Sequence, residues 1–183
     1  MNVVPRLLVK YKEEIVPKMQ KAFDVTNRLA VPKLEKIVLN MGVGEAIQDI
    51  KILEAAMQDM EKITGQKPIL RRSKKAISNF KLKAKVPVGC KVTLRGHKMY
   101  EFLDRFMNVC LPRIRDFNGV PLKSFDQDGN YSMGITDQAI FPEIDVGRIT
   151  RSQGMDICFV FNRGPREQTM ELLRLFGMPF SKS

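Results

Sequence analysis

The sequence predicts one α+β domain spanning residues 1–183, with helices packed on one face of a mainly antiparallel sheet and a long basic loop. Its 183 residues, 44% hydrophobic and 28% charged, have the size and composition of a single globular domain. Some segments alternate apolar and polar residues, as strands do, whereas others repeat apolar residues at helical spacing. These segments do not follow one another as regular strand–helix–strand units, which disfavours a parallel sheet.

The first third of the chain contains two helical patterns with a strand pattern between them. Near the N-terminus, apolar residues recur at helical spacing, but Pro17 lacks a backbone N–H, so we expect two short helices that are interrupted there. Residues 36–41 are rich in apolar and β-branched residues and end at Gly42, a pattern typical of a strand. Residues 49–64 then predict a helix with Gly65 as its left-handed cap.

The clearest strand pattern lies at residues 88–95. The side chains on one predicted face are Val88, Cys90, Val92 and Leu94, and those on the other are Gly89, Lys91, Thr93 and Arg95. Because successive strand residues point to opposite faces, one face should join the core and the other should carry positive charge. Gly96 ends this strand, and residues 99–110 predict a helix that stops before Pro112.

The C-terminal third combines loops with one clear strand and one clear helix. Glycine and proline interrupt residues 113–150 repeatedly, so we expect loops and brief strands there. Residues 157–161 alternate as in a strand. A last helix should begin after Pro165 and end at Gly177.

The excess positive charge of the chain is concentrated in residues 66–98. This stretch holds 11 of the 31 Lys and Arg residues and no Asp or Glu, so the other residues hold 20 basic and 20 acidic side chains. The whole formal net charge of +11 is therefore local. Because like charges repel one another in a compact fold, such a block predicts a polyanionic partner, and nucleic acid is the first candidate.

Several function classes lack the residues that they need. His97 is the only histidine and the acidic residues are scattered, so neither a catalytic pair nor a metal-binding motif is formed. Cys90, Cys110 and Cys158 contain no Cys-x-x-Cys pair, which predicts neither a disulfide framework nor a zinc site. No signal peptide or membrane span is predicted. We therefore expect a cytoplasmic protein that is not an enzyme and has no catalytic residues, cofactor or metal.

Three readings apply to Gly42-Val43-Gly44, which lies between a predicted strand and a predicted helix. A dinucleotide-binding fingerprint begins in this way, but Ile47 replaces its third glycine and the required parallel unit is not predicted. A tight turn that needs glycine's backbone freedom is the second reading. In the third reading, small residues allow RNA to approach the backbone closely. The first reading keeps a nucleotide-dependent enzyme as an alternative function.

Residues 71–85 combine cations with hydroxyl groups, an amide and the aromatic ring of Phe80. Cations bind phosphates of any sequence, polar groups fix the register, and an aromatic ring stacks on a base or a ribose. The alternative is that Ile77 and Phe80 anchor this loop to the core. That alternative does not explain the cations or the lack of acidic residues.

Lys91, Thr93 and Arg95 extend the same positive surface along the predicted strand, with no compensating acid beside them in the sequence. A sheet face of this kind suits the shallow minor groove and exposed sugars of RNA, whereas DNA recognition favours a helix in the major groove. We therefore expect an RNA partner. A free-standing nucleic-acid-binding module stays open as a further alternative.

Seven motifs follow one another along nearly the whole chain, at residues 40–45, 64–68, 88–96, 111–117, 129–134, 140–144 and 177–180. Together they resemble the fifth-protein family of the large ribosomal subunit, in its bacterial form. The resemblance implies a structural protein that binds 5S rRNA and helps to attach it in the central protuberance. It also implies 23S rRNA and other 5S rRNA-binding proteins as neighbours.

The resemblance further implies that different partners bind different residues. The residues expected to bind 5S rRNA are Asn40, Met41, Gly42, Val43, Gly44, Gln66, Lys67, Pro68, Lys91, Thr93 and Arg95. The residues expected to reach peptidyl-site tRNA near its elbow are Lys74, Lys75, Ser78, Asn79, Phe80, Lys81 and Lys83. The residues expected to meet a small-subunit head protein in an intersubunit bridge are Arg113, Arg115, Asp116, Phe117, Asn130, Tyr131 and Glu143.

One loop position departs from the family pattern. Family members usually carry glycine where this chain has Lys85. The resemblance therefore implies an added positive charge and a stiffer loop tip at this position.

Overall fold

A computed structural model describes residues 4–149, 151–162 and 164–181. The strands are β1 (Leu34–Gly42), β2 (Ile69–Arg72), β3 (Pro87–Leu94), β4 (Tyr131–Ile135) and β5 (Met155–Phe161). They form an antiparallel sheet in the order β2-β3-β1-β5-β4. The α-helices within these residues are α1 (Arg6–Lys10), α2 (Val16–Ala22), α3 (Ile50–Thr64), α4 (Gly96–Arg105) and α5 (Arg166–Phe176). The predicted α+β class is confirmed.

The two N-terminal helices join without the interruption that the sequence pattern predicts. α1 continues through a π-helical turn at Tyr11–Ile15 directly into α2. Pro17 lies in the first turn of α2, where its missing N–H and fixed backbone angle are tolerated. The predicted interruption is therefore wrong, because a wider helical turn precedes the proline and takes the place of a break.

The other predicted helices and strands are confirmed, with shifts at their ends. The C-cap of α3 is Gly65, which has a φ of 63°, and the C-cap of α5 is Gly177, which has a φ of 113°. Both values lie in the left-handed region that favours glycine after a helix. α4 begins at Gly96, three residues earlier than the apolar pattern predicts, and continues into a π-helical turn at Phe106–Cys110.

The sequence pattern does not predict β2, and it assigns the last two residues of this strand, Arg71 and Arg72, to the basic loop. β2 is an edge strand that pairs antiparallel with β3, with Ile69 opposite Lys91 and Arg71 opposite Gly89. None of its four residues is buried, so no alternation of apolar and polar residues marks it. Backbone hydrogen bonds to β3 define this strand, and the loop after it begins at Ser73 rather than Arg71.

The described residues form two compact units. The terminal unit comprises the residues up to Ile37, Leu94–Met133, and the residues from Cys158 onward. The central unit comprises Val38–Thr93 and Gly134–Ile157. The assignment of all 183 residues to one domain stays a prediction.

Aromatic rings fill the core of the terminal unit. Tyr131 is fully buried, and its ring centroid lies 4.7 Å from that of Phe125 and 6.1 Å from that of Phe159. The Tyr131 hydroxyl donates a hydrogen bond to the Pro121 carbonyl oxygen at 3.0 Å. The ring therefore contributes apolar burial while its one polar atom stays hydrogen-bonded.

The core of the central unit lies where α3 meets β3. Leu53, Met60 and Cys90 are fully buried, and the Cys90 sulfur lies 4.0 Å from the Met60 sulfur. Asp49 is the N-cap of α3, and its carboxylate accepts a hydrogen bond from the Lys51 backbone N–H at 2.9 Å. This N-cap satisfies one backbone donor that the helix leaves unpaired.

Two glycines of the central unit have opposite steric surroundings. A Cβ atom added to Gly89 on β3 would collide with the Met41 carbonyl oxygen on β1. A Cβ atom added to Gly42 would meet no atom within 4 Å. Only Gly89 is therefore required by the close approach of the two strands.

We expect Gly89→Ala to destabilise the protein by about 1–3 kcal/mol, because β1 and β3 must move apart to admit the methyl group. Gly42→Ala is the matched control and should change the free energy of unfolding by less than about 0.5 kcal/mol. Urea unfolding followed by circular dichroism measures both values. Equal midpoints for the two variants would contradict the packing described here.

Candidate nucleic-acid interface

β3 presents a buried face and a charged face over residues 90–94, as the alternation predicts, whereas Val88 is only half-buried and Gly89 is buried. Cys90, Val92 and Leu94 are at most 1% exposed. Lys91 and Thr93, on the opposite face, are half-buried and reach solvent. The buried side chains fix the strand from behind, so the positions of the outward groups are set by core packing.

The corner after α3 is attached to this strand. The Gln66 side-chain amide donates a hydrogen bond to the Thr93 carbonyl oxygen at 3.3 Å. Lys67 is exposed, whereas the Pro68 ring is buried. Lys67 therefore adds a cation near the end of β3, and Pro68 can act on a ligand only through the backbone position that it fixes.

Pairing of β2 with β3 adds residues to this face that the sequence pattern does not place there. Ile69 lies opposite Lys91 and Arg71 lies opposite Gly89, so their side chains share the face that Lys91 occupies. Arg71 is exposed, and Ile69 is 69% exposed. No sequence signal marks this arrangement, because it depends on the register of an edge strand without a buried face.

Arg95 is not free of acidic partners, contrary to the sequence expectation. Its guanidinium donates a hydrogen bond to a Glu35 carboxylate oxygen at 2.9 Å, and both side chains are about half exposed. Arg95, followed by Lys36, holds the pKa of Glu35 below its ordinary value. Part of the Arg95 charge is therefore balanced within the protein, whereas the 66–98 stretch itself contains no acid.

The Gly42-Val43-Gly44 segment exposes backbone rather than side chains. Met41 and Val43 are at most 3% exposed and belong to the core, and Asn40 is half-buried. Gly42 and Gly44 are exposed, and an added Cβ would meet nothing within 4 Å at either position. Neither glycine has a positive φ. The reading of a turn that needs glycine's backbone freedom is therefore wrong for these two residues.

The same segment does not form a dinucleotide site. A dinucleotide fingerprint requires a parallel strand–helix–strand unit, whereas β1 lies in an antiparallel sheet. A 3-10 turn at Gly44–Ile47 follows it, and its backbone is tied to β3 because the Val43 N–H donates to the Val88 carbonyl at 2.9 Å. Of the three readings, close approach of a ligand to an open backbone is the one compatible with this geometry.

The basic loop, residues 73–86, is ordered by its own hydrogen bonds. The Ser73 backbone donates to the Val86 carbonyl at 2.9 Å and accepts from the Lys85 N–H at 3.0 Å. The Ser73 hydroxyl also donates to the Lys83 carbonyl at 2.7 Å and accepts from the Val86 N–H at 3.2 Å. One serine therefore holds the two limbs of the loop together at its base.

The tip of this loop directs its side chains into solvent. Ile77 and Leu82 exchange two backbone hydrogen bonds, of 2.9 and 3.1 Å, around a 3-10 turn at Ser78–Phe80. Phe80 is 71% exposed and Ile77 is 44% exposed. The alternative in which these two side chains anchor the loop to the core is therefore wrong. The polar residues assigned to tRNA are likewise exposed: Lys74, Lys75, Ser78, Asn79, Lys81 and Lys83.

The residues assigned to the intersubunit bridge differ in exposure. Arg113, Arg115 and Asp116 are exposed, and Phe117 is half-buried. Tyr131 belongs to the aromatic core described above, and its neighbour Asn130 uses its side chain to bind the Asp126 carboxylate at 2.9 Å and the Phe161 N–H at 3.1 Å. Glu143, which is half-buried, lies in the central unit, whereas the other six residues lie in the terminal unit.

The assigned residues are distributed unevenly between the units. All seven tRNA-assigned residues and all 5S rRNA-assigned residues except Arg95 belong to the central unit.

Burial raises the pKa of the Cys90 thiol to about 11, so this thiol stays protonated at neutral pH. In the described parts of the chain, no three His, Cys, Asp or Glu side chains are grouped as metal ligands, and no helix has the length and apolarity to span a membrane.

Lys85 adopts a left-handed backbone conformation, with a φ of 66°. This conformation is costly for residues with a Cβ atom and ordinary for glycine. Its N–H donates to the Ser73 carbonyl, and its carbonyl accepts from the Arg72 guanidinium at 3.0 Å. These backbone bonds hold Lys85 in a conformation that its side chain disfavours, and they place it at the base of the loop, so the expected position at the loop tip is wrong.

We expect Lys85→Gly to stabilise the loop by about 0.5–1 kcal/mol, because it removes the left-handed strain and keeps both backbone bonds. The matched control is Ala84→Gly, at a neighbour without a positive φ, which should destabilise the loop instead. Hydrogen exchange of the Lys85 and Val86 backbone amides reports both changes. Faster exchange in both variants would contradict the strain assigned to Lys85.

Comparison with known proteins accounts for nearly the whole chain. The model of the family described as Ribosomal protein L5 matches residues 27–83, and that of the ribosomal L5P family C-terminus matches residues 87–180. Proteins named large ribosomal subunit protein uL5, from Clostridium acetobutylicum and from Clostridium botulinum strain Loch Maree, are each 54% identical over 180 residues. Each alignment covers 98% of this chain and 100% of the relative.

Proposed function

The chain belongs to the ribosomal protein L5 family, and we propose that it binds 5S rRNA and helps to attach it in the central protuberance of the large ribosomal subunit. It is a structural constituent of that subunit and belongs to a family whose members are typically not enzymes. As a bacterial ribosomal protein it acts in the cytoplasm, with 23S rRNA and other 5S rRNA-binding proteins as neighbours.

The observation that carries this proposal is the outward surface of β3 together with the open backbone at Gly42 and Gly44. Lys91 lies on β3, whose other face is fixed by buried side chains, and Arg71 adds a second cation from the paired strand β2. The two glycines leave space for a phosphate or a sugar against the backbone. A surface that combines charge with close backbone approach suits the RNA minor groove and its 2′-hydroxyl groups.

The buried members of the 5S rRNA assignment have an indirect part in this proposal. Met41, Val43 and Pro68 do not present their side chains to solvent. They hold the exposed neighbours Gly42, Gly44 and Lys67 in position by packing. RNA contact is therefore proposed for the side chains of Asn40, Gln66, Lys67, Lys91, Thr93 and Arg95 and for the backbone at Gly42 and Gly44.

The basic loop is proposed to reach peptidyl-site tRNA near its elbow. Its lysines project from a short hairpin whose order comes from Ser73 and from the pairing of Ile77 with Leu82, not from core packing. Such a loop can move as a unit while β3 stays fixed. Long cationic side chains bind phosphates without regard to sequence, as a contact with many different tRNAs requires.

The exposed segment at Arg113, Arg115 and Asp116 is proposed to meet a small-subunit head protein in an intersubunit bridge. Arg115 is 97% exposed and lies 3.8 Å from the Asp116 carboxylate, an arrangement that leaves its charge accessible to a partner. Asn130 and Tyr131 support this unit from inside. Phe117 and Glu143 are half-buried and complete the proposed assignment.

We expect Lys91→Ala to weaken 5S rRNA binding by about fivefold to tenfold and to lower the logarithmic salt slope by about 1, because one phosphate contact is lost. Arg95→Ala should have a smaller effect, since Glu35 already balances part of that charge. Filter binding at several salt concentrations measures both. A larger loss for Arg95→Ala than for Lys91→Ala would contradict the electrostatic assignment.

Gly42→Ala should weaken 5S rRNA binding by about tenfold, equivalent to ~1.4 kcal/mol, because the methyl group occupies the space proposed for RNA. The loop variant Lys81→Ala with Lys83→Ala is the matched control and should leave 5S rRNA affinity within about twofold while lowering tRNA occupancy of the ribosomal peptidyl site. Competition with duplex DNA at equal salt tests the alternative of a general nucleic-acid-binding module. Wild-type 5S rRNA affinity in Gly42→Ala would overturn the close-approach proposal.

A further inference from the structure

The peptide group that joins Gly42 to Val43 is hydrogen-bonded on both sides. Its N–H, which belongs to Val43, donates to the Val88 carbonyl oxygen at 2.9 Å. Its carbonyl oxygen, which belongs to Gly42, accepts from the side-chain amide of Gln153 at 3.0 Å. β1 lies between β3 and β5 in the sheet, and Gln153 comes two residues before β5. The end of β1 is therefore held by backbone on the β3 side and by a side chain on the β5 side.

Gln153 is itself fixed by a buried glutamine. Gln138 is 3% exposed, and its side-chain carbonyl oxygen accepts a hydrogen bond from the Gln153 backbone N–H. The amide group of the same side chain donates to the Arg151 carbonyl oxygen at 2.8 Å. A buried amide that is hydrogen-bonded at both ends holds its partners in one arrangement. Gln138 thus sets the backbone position from which the Gln153 side chain reaches Gly42.

An ion pair joins the same part of the chain to the turn after β1. Arg151 is paired with Glu45, and about half of each side chain is exposed. An exposed pair of this kind contributes little, because salt screens it and both side chains lose rotamer freedom. Gln153 is half-buried, so water competes less for its hydrogen bond. We therefore expect the Gln153 amide, rather than the ion pair, to determine the position of the Gly42–Val43 peptide.

Gly42 needs such a support because it has none of its own. No side chain packs at this position, and an added Cβ would meet nothing within 4 Å. Glycine has more accessible backbone conformations than any other residue. A glycine that becomes ordered only when a ligand binds lowers the affinity, whereas one that is already ordered does not. The bond from Gln153 restricts Gly42 before any ligand arrives.

We propose that Gln153, held by Gln138, is a positioning residue for the binding of 5S rRNA. It acts through the Gly42–Val43 peptide, whose backbone the RNA is proposed to approach closely, and not through a contact of its own with the RNA. The inference rests on the proposed function and deepens it. It adds two residues to the 5S rRNA-binding surface that lie about 100 positions beyond Gly42 in the sequence.

Gln153→Met removes the hydrogen-bond donor and keeps the length of the side chain. We expect it to bind 5S rRNA about 3-fold to 10-fold more weakly than the wild type, the range for loss of one hydrogen bond. The logarithmic salt slope should stay unchanged, because no cation is lost. The matched control is Ser152→Ala, which removes a hydroxyl bonded to the Thr136 carbonyl at 3.3 Å and should leave the affinity within about twofold. A lower salt slope in Gln153→Met would overturn the positioning role.

Double variants distinguish positioning from general support of the fold. In Gly42→Ala the close approach is already blocked, so adding Gln153→Met should weaken binding by less than about twofold more. In Lys91→Ala the phosphate contact is lost independently, so the effects of the two substitutions should multiply. An equal further loss in both backgrounds would mean that Gln153 only supports the fold, and the positioning role would be overturned.

Hydrogen exchange of the Val43 backbone amide tests the same bond without RNA. Exchange should be faster in Gln153→Met than in the wild type and unchanged in Ser152→Ala, because only the first variant releases the Gly42–Val43 peptide. If the wild type binds 5S rRNA and Gln153→Met binds it equally well, only the positioning role is overturned. If the wild type does not bind 5S rRNA, the proposed function is overturned as well.

Discussion

The structure depends on packing that holds like charges close together against their mutual repulsion. The stretch from residue 66 to residue 98 has 11 cations and no acid, so nothing within it neutralises the charge. β3 is held in place against this repulsion because Cys90, Val92 and Leu94 are buried on one face. Their burial fixes Lys91 and Thr93 on the other face. The apolar burial stabilises the strand, and the unbalanced charge remains available to a polyanion. The charged surface that we propose for RNA binding is therefore a consequence of how this strand is anchored.

The basic loop is ordered in a different way from β3, which is consistent with the different partner proposed for it. It contributes little to the core, and its shape comes from hydrogen bonds at Ser73 and between Ile77 and Leu82. A hairpin held in this way keeps Phe80 and its lysines in solvent. The strand and the loop meet near Gly44, where Val88 of β3 and Ile77 of the loop line a common groove.

Features with a strong one-sided burial pattern or a specific backbone requirement could be predicted from the sequence. The alternation along β3 and the glycine caps at Gly65 and Gly177 are of this kind. Features that depend on residues distant in the sequence could not be predicted in this way. β2 has no buried residue, and the pair of Arg95 with Glu35 joins positions 60 residues apart. The motifs predicted the family, whereas the open space around Gly42 could be seen only in the structure.

The central claim is that this chain carries a rigid, phosphate-binding surface for 5S rRNA. The most direct measurement is a titration of 5S rRNA with the purified protein at several salt concentrations, with stoichiometry determined at the lowest salt. Five to eight phosphate contacts predict a one-to-one complex whose logarithmic affinity falls with logarithmic salt concentration with a slope of roughly 5 to 7. Absence of a one-to-one complex, or an affinity insensitive to salt, would contradict the account.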